Sequence, residues 1–168
     1  MIPVTIESLV MGQPPMPSFV TLRNFNAPSS PIKGTRLLPI MIGPTEAASI
    51  QLAVSGRPNQ RPMTHDLFAN TLSVLDARLD HVLINRVEGQ TFFSVMVFRT
   101  RDGFKNVDAR PSDAIAMARR LNAPIFVNDE VMELASMPES FRGGTSPEIE
   151  IEAFHSFVDG LNPEDFEG

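Results

Sequence analysis

Apolar and polar residues alternate with period two from Ile2 to Val10, with Ile2, Val4 and Ile6 on one side, and this spacing predicts a strand. Gly12-Gln13-Pro14-Pro15 reads as a turn, and Ser18–Phe25 as a second strand with Phe19, Thr21, Arg23 and Phe25 on one side. A loop of turn-forming residues, 27–34, leads to the short apolar strand Arg36–Ile42. Pro39 lacks a backbone donor, so that strand is expected at an edge or with a bulge. The period then changes. Gly43-Pro44 opens a helix with Glu46 in its first turn, Ala47, Ile50 and Val54 on its apolar face, and Gly56 as its stop. Past the linker 57–62, Thr64 is expected to cap a second helix reaching Leu75. Its inward residues are predicted to be Leu67, Phe68, Thr71, Leu72 and Leu75.

Strand patterns return over Leu79–Val87, with a slip near His81, over Thr91–Arg99, where both faces look buried, and over Phe104–Ala109. Two hairpins in succession predict antiparallel pairing. Arg110-Pro111-Ser112-Asp113 starts a third helix that runs through Leu121, with Ala114, Ile115, Ala118 and Leu121 on its face. A short buried strand, Ile125–Val127, and a brief helix, Asp129–Ala135, follow. Ser136–Pro147 reads as a loop. A last amphipathic stretch, Ile149–Leu161, spaces Ile149, Ala153, Phe157 and Leu161 four apart. The expected organisation is one α+β body, residues 1–135, with an acidic C-terminal loop and helix, 136–168.

Composition narrows the chemistry. The chain has 168 residues, 42% of them apolar, enough for a real core. It has 12 Phe but no Trp or Tyr, so its aromatic rings read as core more than as wet binding anchors. With no cysteine, disulfides, thiolate zinc sites and a cysteine nucleophile are excluded. The N-terminus lacks the pattern of a signal peptide, and no run of 18 apolar residues exists, so a cytoplasmic location without a membrane partner is expected. The net charge of −6 hides an asymmetry. Residues 1–128 hold 13 basic and 9 acidic residues, a net of +4. Residues 129–168 hold Arg142 and 11 acidic residues, a net of −10. The plain reading of the tail is a solubilising surface; the sharper one is a decoy for the basic body, competing with nucleic acid.

No P-loop, dinucleotide glycine fingerprint, nucleophile elbow or HExxH pair occurs. His65, His81 and His155 stand at no metal-ligand spacing to one another. Carboxylates remain: Glu46, Asp66 and Asp113 fall in the first turns of the three predicted helices, and Asp108 closes the preceding strand. Oxygen ligands of this type can hold a divalent ion that activates water. The plain alternative is that the helix dipole alone favours acids there. In the segment 108–113, Arg110 offers a bidentate donor to a phosphate and Ser112 a hydroxyl at a helix start. Alternatively, Arg110 simply pairs with Asp108 or Asp113. His65, beside Asp66, has the chemistry of a general acid or base, against the alternative of a solvent-facing ring behind a Thr64 cap.

Three strings in this order, LPIMIGPTEAASI (38–50), RPMTHDLFANTL (61–72) and DARPSDAIAMARRLNAPIFV (108–127), resemble the bifunctional nuclease domain family over about residues 1–135, and the ending FVDGLNPEDF is similar to that of many bacterial members. Met41 and Met63 depart from the residues usual in the family. The resemblance implies a compact α+β fold, a mixed, largely antiparallel sheet with three to four packed helices, plus a C-terminal helical tail. It further implies self-association as a dimer and hydrolysis of DNA and RNA, with no organic cofactor. Over the matching motifs, the catalytic candidates are Glu46, His65, Asp66, Asp108 and Asp113. Arg110 and Ser112 are the phosphate-binding candidates, and Asp108 and Asp113 the ligands for Mg²⁺ or Mn²⁺. The alternative is a non-catalytic nucleic-acid- or protein-binding regulatory module of the same fold. A third is an oligomeric scaffold built on the Phe-rich strand 91–99.

Overall fold

A computed structural model describes residues 1–13, 15–25, 34–56 and 60–138. The elements run β1 (Ile2–Val10), β2 (Ser18–Asn24), β3 (Arg36–Ile42), α1 (Pro44–Ser55), α2 (Thr64–Val74), β4 (Arg78–Glu88), β5 (Thr91–Thr100), β6 (Gly103–Ala109), α3 (Pro111–Leu121), β7 (Ile125–Val127), α4 (Asp129–Ala135) and β8 (Met137–Pro138). Among the described residues the strands form one sheet in the order β6-β5-β4-β7-β1-β2-β3-β8. The α+β expectation holds. The expected tail helix, 149–161, lies outside the described residues.

Two antiparallel meanders, β4-β5-β6 and β1-β2-β3, make up most of the sheet, and the three-residue β7 joins them. It pairs antiparallel with β1 (Ile2 opposite Val127) and parallel with β4 (Val82 opposite Ile125). A strand buried on both edges needs apolar residues that pack on a pleat, and Ile125 and Val127 supply them. The slip expected near His81 is a register shift between Leu79 and His81. Pro39 sits where its missing donor costs nothing, because β8 covers β3 only at Arg36 and Leu37. That short strand corrects the reading of Ser136 onward as loop alone.

One apolar core joins the sheet to the helices. Val20, Leu22, Leu38, Val82, Ile84 and Val127 from the strands are at or near zero exposure, as are Ile50, Ile115 and Met117 from the helices. Each such side chain contributes roughly 1.5–3 kcal/mol by leaving water. Helix α3 lies deepest. Pro111, Ser112 and Ala114–Ala118 are all buried, and its small Ala residues let α1 and α2 approach it closely. Asn122, in the left-handed conformation at φ 52°, ends it.

Helix α2 departs from its expected orientation. Thr64 is its first helical residue and not its cap; Met63 holds that place, and its N–H donates to the Asp66 side chain at 3.0 Å. Of the residues predicted inward, only Leu72 is buried. Leu67 is 60% and Leu75 68% exposed, Thr71 faces solvent, and Phe68 touches Phe98 edge-on, ring centroids 6.3 Å apart. The side turned inward carries His65, Asp66, Ala69 and Leu72 instead. Polar bonds to α1 and α3, set out below, fix the helix in this rotation.

Candidate functional site

The first turns of α1, α2 and α3 converge, and with them the residues that chemistry singles out. Arg110 occupies the N-cap position of α3 in an extended conformation. From there its guanidinium takes two acids at once. Nε and Nη2 donate to Asp113 at 2.7 and 3.1 Å, and Nη1 donates to Glu46 at 3.0 Å. A guanidinium has five N–H donors, so two remain for another oxygen. The Arg110 side chain is 65% exposed, and those two donors are within reach of solvent.

Glu46 is placed for this contact by Gly43, the N-cap of α1. The Glu46 side chain folds back over that glycine, and a Cβ at position 43 would run into its carboxylate. The Asp113 carboxylate also meets His65 Nε2 at 3.1 Å, and the other ring nitrogen, Nδ1, lies 2.9 Å from Ser49 Oγ. Both contacts are satisfied when Nε2 carries the proton and Nδ1 accepts from the Ser49 hydroxyl. A continuous polar chain results: Ser49–His65–Asp113–Arg110–Glu46. His65 is 19% and Asp113 30% exposed.

Electrostatics follow from this packing. Burial pushes the Asp113 carboxyl up, but hydrogen bonds from Arg110 and His65, with the positive charge of Arg110, outweigh it and hold the group below the ordinary carboxylate range. The hydrogen bond to Asp113, with its negative charge, raises Arg110 further above its ordinary value, and Glu46 adds to this. The centre is therefore a charged pair at any physiological pH.

Asp66 serves a different purpose. It accepts from Arg120 Nε at 2.7 Å, and Arg120 Nη1 also donates to the carbonyls of Ser49 and Ala116. The Arg120 side chain is only 8% exposed, so this pair ties α1, α2 and α3 together behind the polar chain. Asp108 stands apart: it is exposed on β6 opposite Val95, and among the described residues no side-chain hydrogen bond or ion pair joins it to this group. Ser112 is buried and lines a groove of about 440 Å³ together with Ile40, Ile42, Phe92, Glu46 and Arg110. The structure thus brings Glu46, His65, Arg110 and Asp113 into contact, places Ser112 beside them, joins Asp66 through Arg120, and leaves Asp108 outside.

Ser49 and Arg120 are participants that sequence reasoning missed. Their signal was present: Ser49 follows Glu46 by three residues and Arg120 follows Asp113 by seven, both helical spacings that put the pairs on one face. For a metal ion the donor set fits poorly. Both Glu46 and Asp113 already face a cation, the guanidinium of Arg110, and among the described residues no three His, Asp or Glu side chains gather in one place.

Among the described residues, no helix is long and apolar enough to cross a membrane. Two uncharacterised proteins of Mycobacterium tuberculosis, from strains CDC 1551 and H37Rv, are each 35% identical to the chain over 168 residues, covering 97% of it and 96% of their own length. A family model for the bifunctional nuclease domain matches residues 30–140, a span containing the whole polar chain from Glu46 to Arg120. The chain belongs to the bifunctional nuclease domain family.

Proposed function

We propose that the chain hydrolyses phosphodiester bonds of DNA and RNA at the centre formed by Ser49, His65, Asp113 and Arg110. The observation that carries this reading is the hydrogen-bonded run from Ser49 through His65 and Asp113 to the exposed guanidinium of Arg110, the member of the run that lines the Ile42–Phe92 groove. The two free donors of Arg110 take phosphate oxygens and offset the charge that grows there in the transition state. Asp113 holds the His65 ring by its Nε2–H, leaving Nδ1 as the base. Water attacks phosphorus and its proton passes through the Ser49 hydroxyl to His65. The bond from phosphorus to the ester oxygen breaks, and that oxygen takes the proton back from His65 through the Ser49 hydroxyl and leaves as the neutral alcohol.

Activation of water by Mg²⁺ or Mn²⁺, expected from the carboxylates, is not part of this reading, because the acids are engaged by Arg110. Cytoplasmic action and self-association through the outer face of β5, where Phe93, Val95 and Val97 are half-buried, belong to the same proposal. A second reading has one observation in its favour. Two carboxylates already offset the charge of Arg110, as a structural clamp in a non-catalytic nucleic-acid module requires.

The deciding experiment is cleavage of single-stranded DNA, duplex DNA and RNA by purified protein, with Mg²⁺, with Mn²⁺ and with EDTA, beside His65→Ala. Removal of a general acid–base costs roughly 10²–10⁴-fold. Cutting that survives EDTA and vanishes in the variant supports the centre as described. Cutting abolished by EDTA returns the chemistry to a metal. Binding without cutting, equal in both proteins, favours the module.

A further inference from the structure

We propose that the acidic C-terminal segment of this chain docks its apolar side, residues 149–161, along the outward face of α2. That face is apolar and exposed. Met63 (50% exposed), Leu67 (60%), Val74 (84%) and Leu75 (68%) lie on one side of the helix, with Thr71 between them and Phe68 at the border. Among the described elements, α2 packs on α3 and leaves this side bare. A contiguous apolar helix face of this kind marks a contact surface.

Three observations select the occupant. The first is pattern: Ile149, Ala153, Phe157 and Leu161 recur every four residues, matching one apolar helix face to another. The second is charge. The apolar face of α2 ends at an arginine group: Arg78 and Arg99 are opposite one another across β4 and β5, both exposed, and Arg101 is close by, bonded to Asp76. Arg61 precedes the other end. Residues 139–168 hold eight acidic residues and one basic residue, a net of −7. A second copy laid face to face on the same surface would set arginines against arginines, so the acidic segment is the better complement.

The third is reach. The described chain ends on β8, six strand positions from β5, against which Phe68 of α2 packs. Six spacings of about 4.8 Å make roughly 29 Å. The ten residues 139–148 span up to about 33–36 Å when extended, enough to place residue 149 at α2.

Hydrogen–deuterium exchange on the full chain tests this. The expected result is that amides of 149–161 exchange at least tenfold more slowly than a free peptide of the same sequence. In Leu67→Asp/Val74→Asp that slowing is lost while α3 keeps its protection. Reciprocally, Phe157→Asp/Leu161→Asp, which alters no residue of the described body, speeds exchange in α2. Arg78→Glu/Arg99→Glu weakens the slowing several-fold. The proposal is overturned if 149–161 exchanges like the free peptide, or if the tail variant leaves α2 unchanged. Slowing that disappears on dilution also overturns it and gives the face to a second copy.

Discussion

The two sides of α2 invert the ordinary rule. Its inward side carries His65 and Asp66, bonded to Asp113, Ser49 and Arg120, while its outward side carries Leu67, Val74 and Leu75 in solvent. Apolar spacing alone puts the second set inside. The inversion shows which effect is larger. Exposing a few apolar side chains forfeits transfer energy that a partner surface can recover. Leaving Arg120, at 8% exposure, without its carboxylate would strand a nearly buried charge. The helix therefore rotates to satisfy its ionic contacts, and the apolar side is left for a docked segment.

The largest effect that sharpens this comparison is on stability. Asp66→Ala should cost about 2–3 kcal/mol, toward the low end for a broken buried pair because Asp66 keeps some contact with water. Leu67→Ala on the opposite side should change the stability of the body by no more than about 0.5 kcal/mol. Urea denaturation followed on the body gives both numbers. Equal costs would break the comparison, since the two sides would then be equivalent.

A smaller effect comes from pH. The Asp113 carboxyl titrates below its ordinary value in the folded protein, so its partners stabilise the fold fully above about pH 4. That stabilisation is lost as pH falls through the lower folded value, because the unfolded chain takes up the proton first. Asp113→Asn should be less stable than wild type at pH 6, and the gap should narrow as pH falls below 4. Thermal midpoints from pH 6 to pH 2 show it; a gap that stays constant would mean that Asp113 is held by packing and not by its charge.

Smaller again is Gly43→Ala. The added Cβ displaces the Glu46 carboxylate and loosens its bond to Arg110. Because Arg110 is largely exposed, the change in stability should be about 0.2–1 kcal/mol. Glu46→Gln should reproduce it, and the two together should add little beyond either alone.

Much of this architecture is legible along the chain. The strands, the Pro44 and Pro111 helix starts and the Gly56 stop follow from period two, period 3.6 and local backbone chemistry, and the slip at His81 shows as a break in alternation. The parallel seat of β7 between the meanders does not, because a three-residue apolar strand carries no directional signal. The site was half legible. Glu46, His65, Arg110 and Asp113 are visible as acids, a base and a cation at helix starts. That they bond to one another depends on contacts between residues as far as 64 apart, which no local pattern encodes. Asp108 shows the converse: it shares the segment 108–113 with Arg110 and Asp113, yet the strand carries it away from them.

That contrast gives the most direct test. Arg110→Ala and Asp108→Ala are compared with wild type for cleavage of single-stranded DNA and RNA under one set of conditions. The account predicts a loss of about 10²-fold or more for Arg110→Ala, as for removal of a donor to a developing oxyanion, and a change within about twofold for Asp108→Ala. Unchanged cleavage in Arg110→Ala, or a comparable loss in Asp108→Ala, would contradict the assignment of the chemistry to this polar chain.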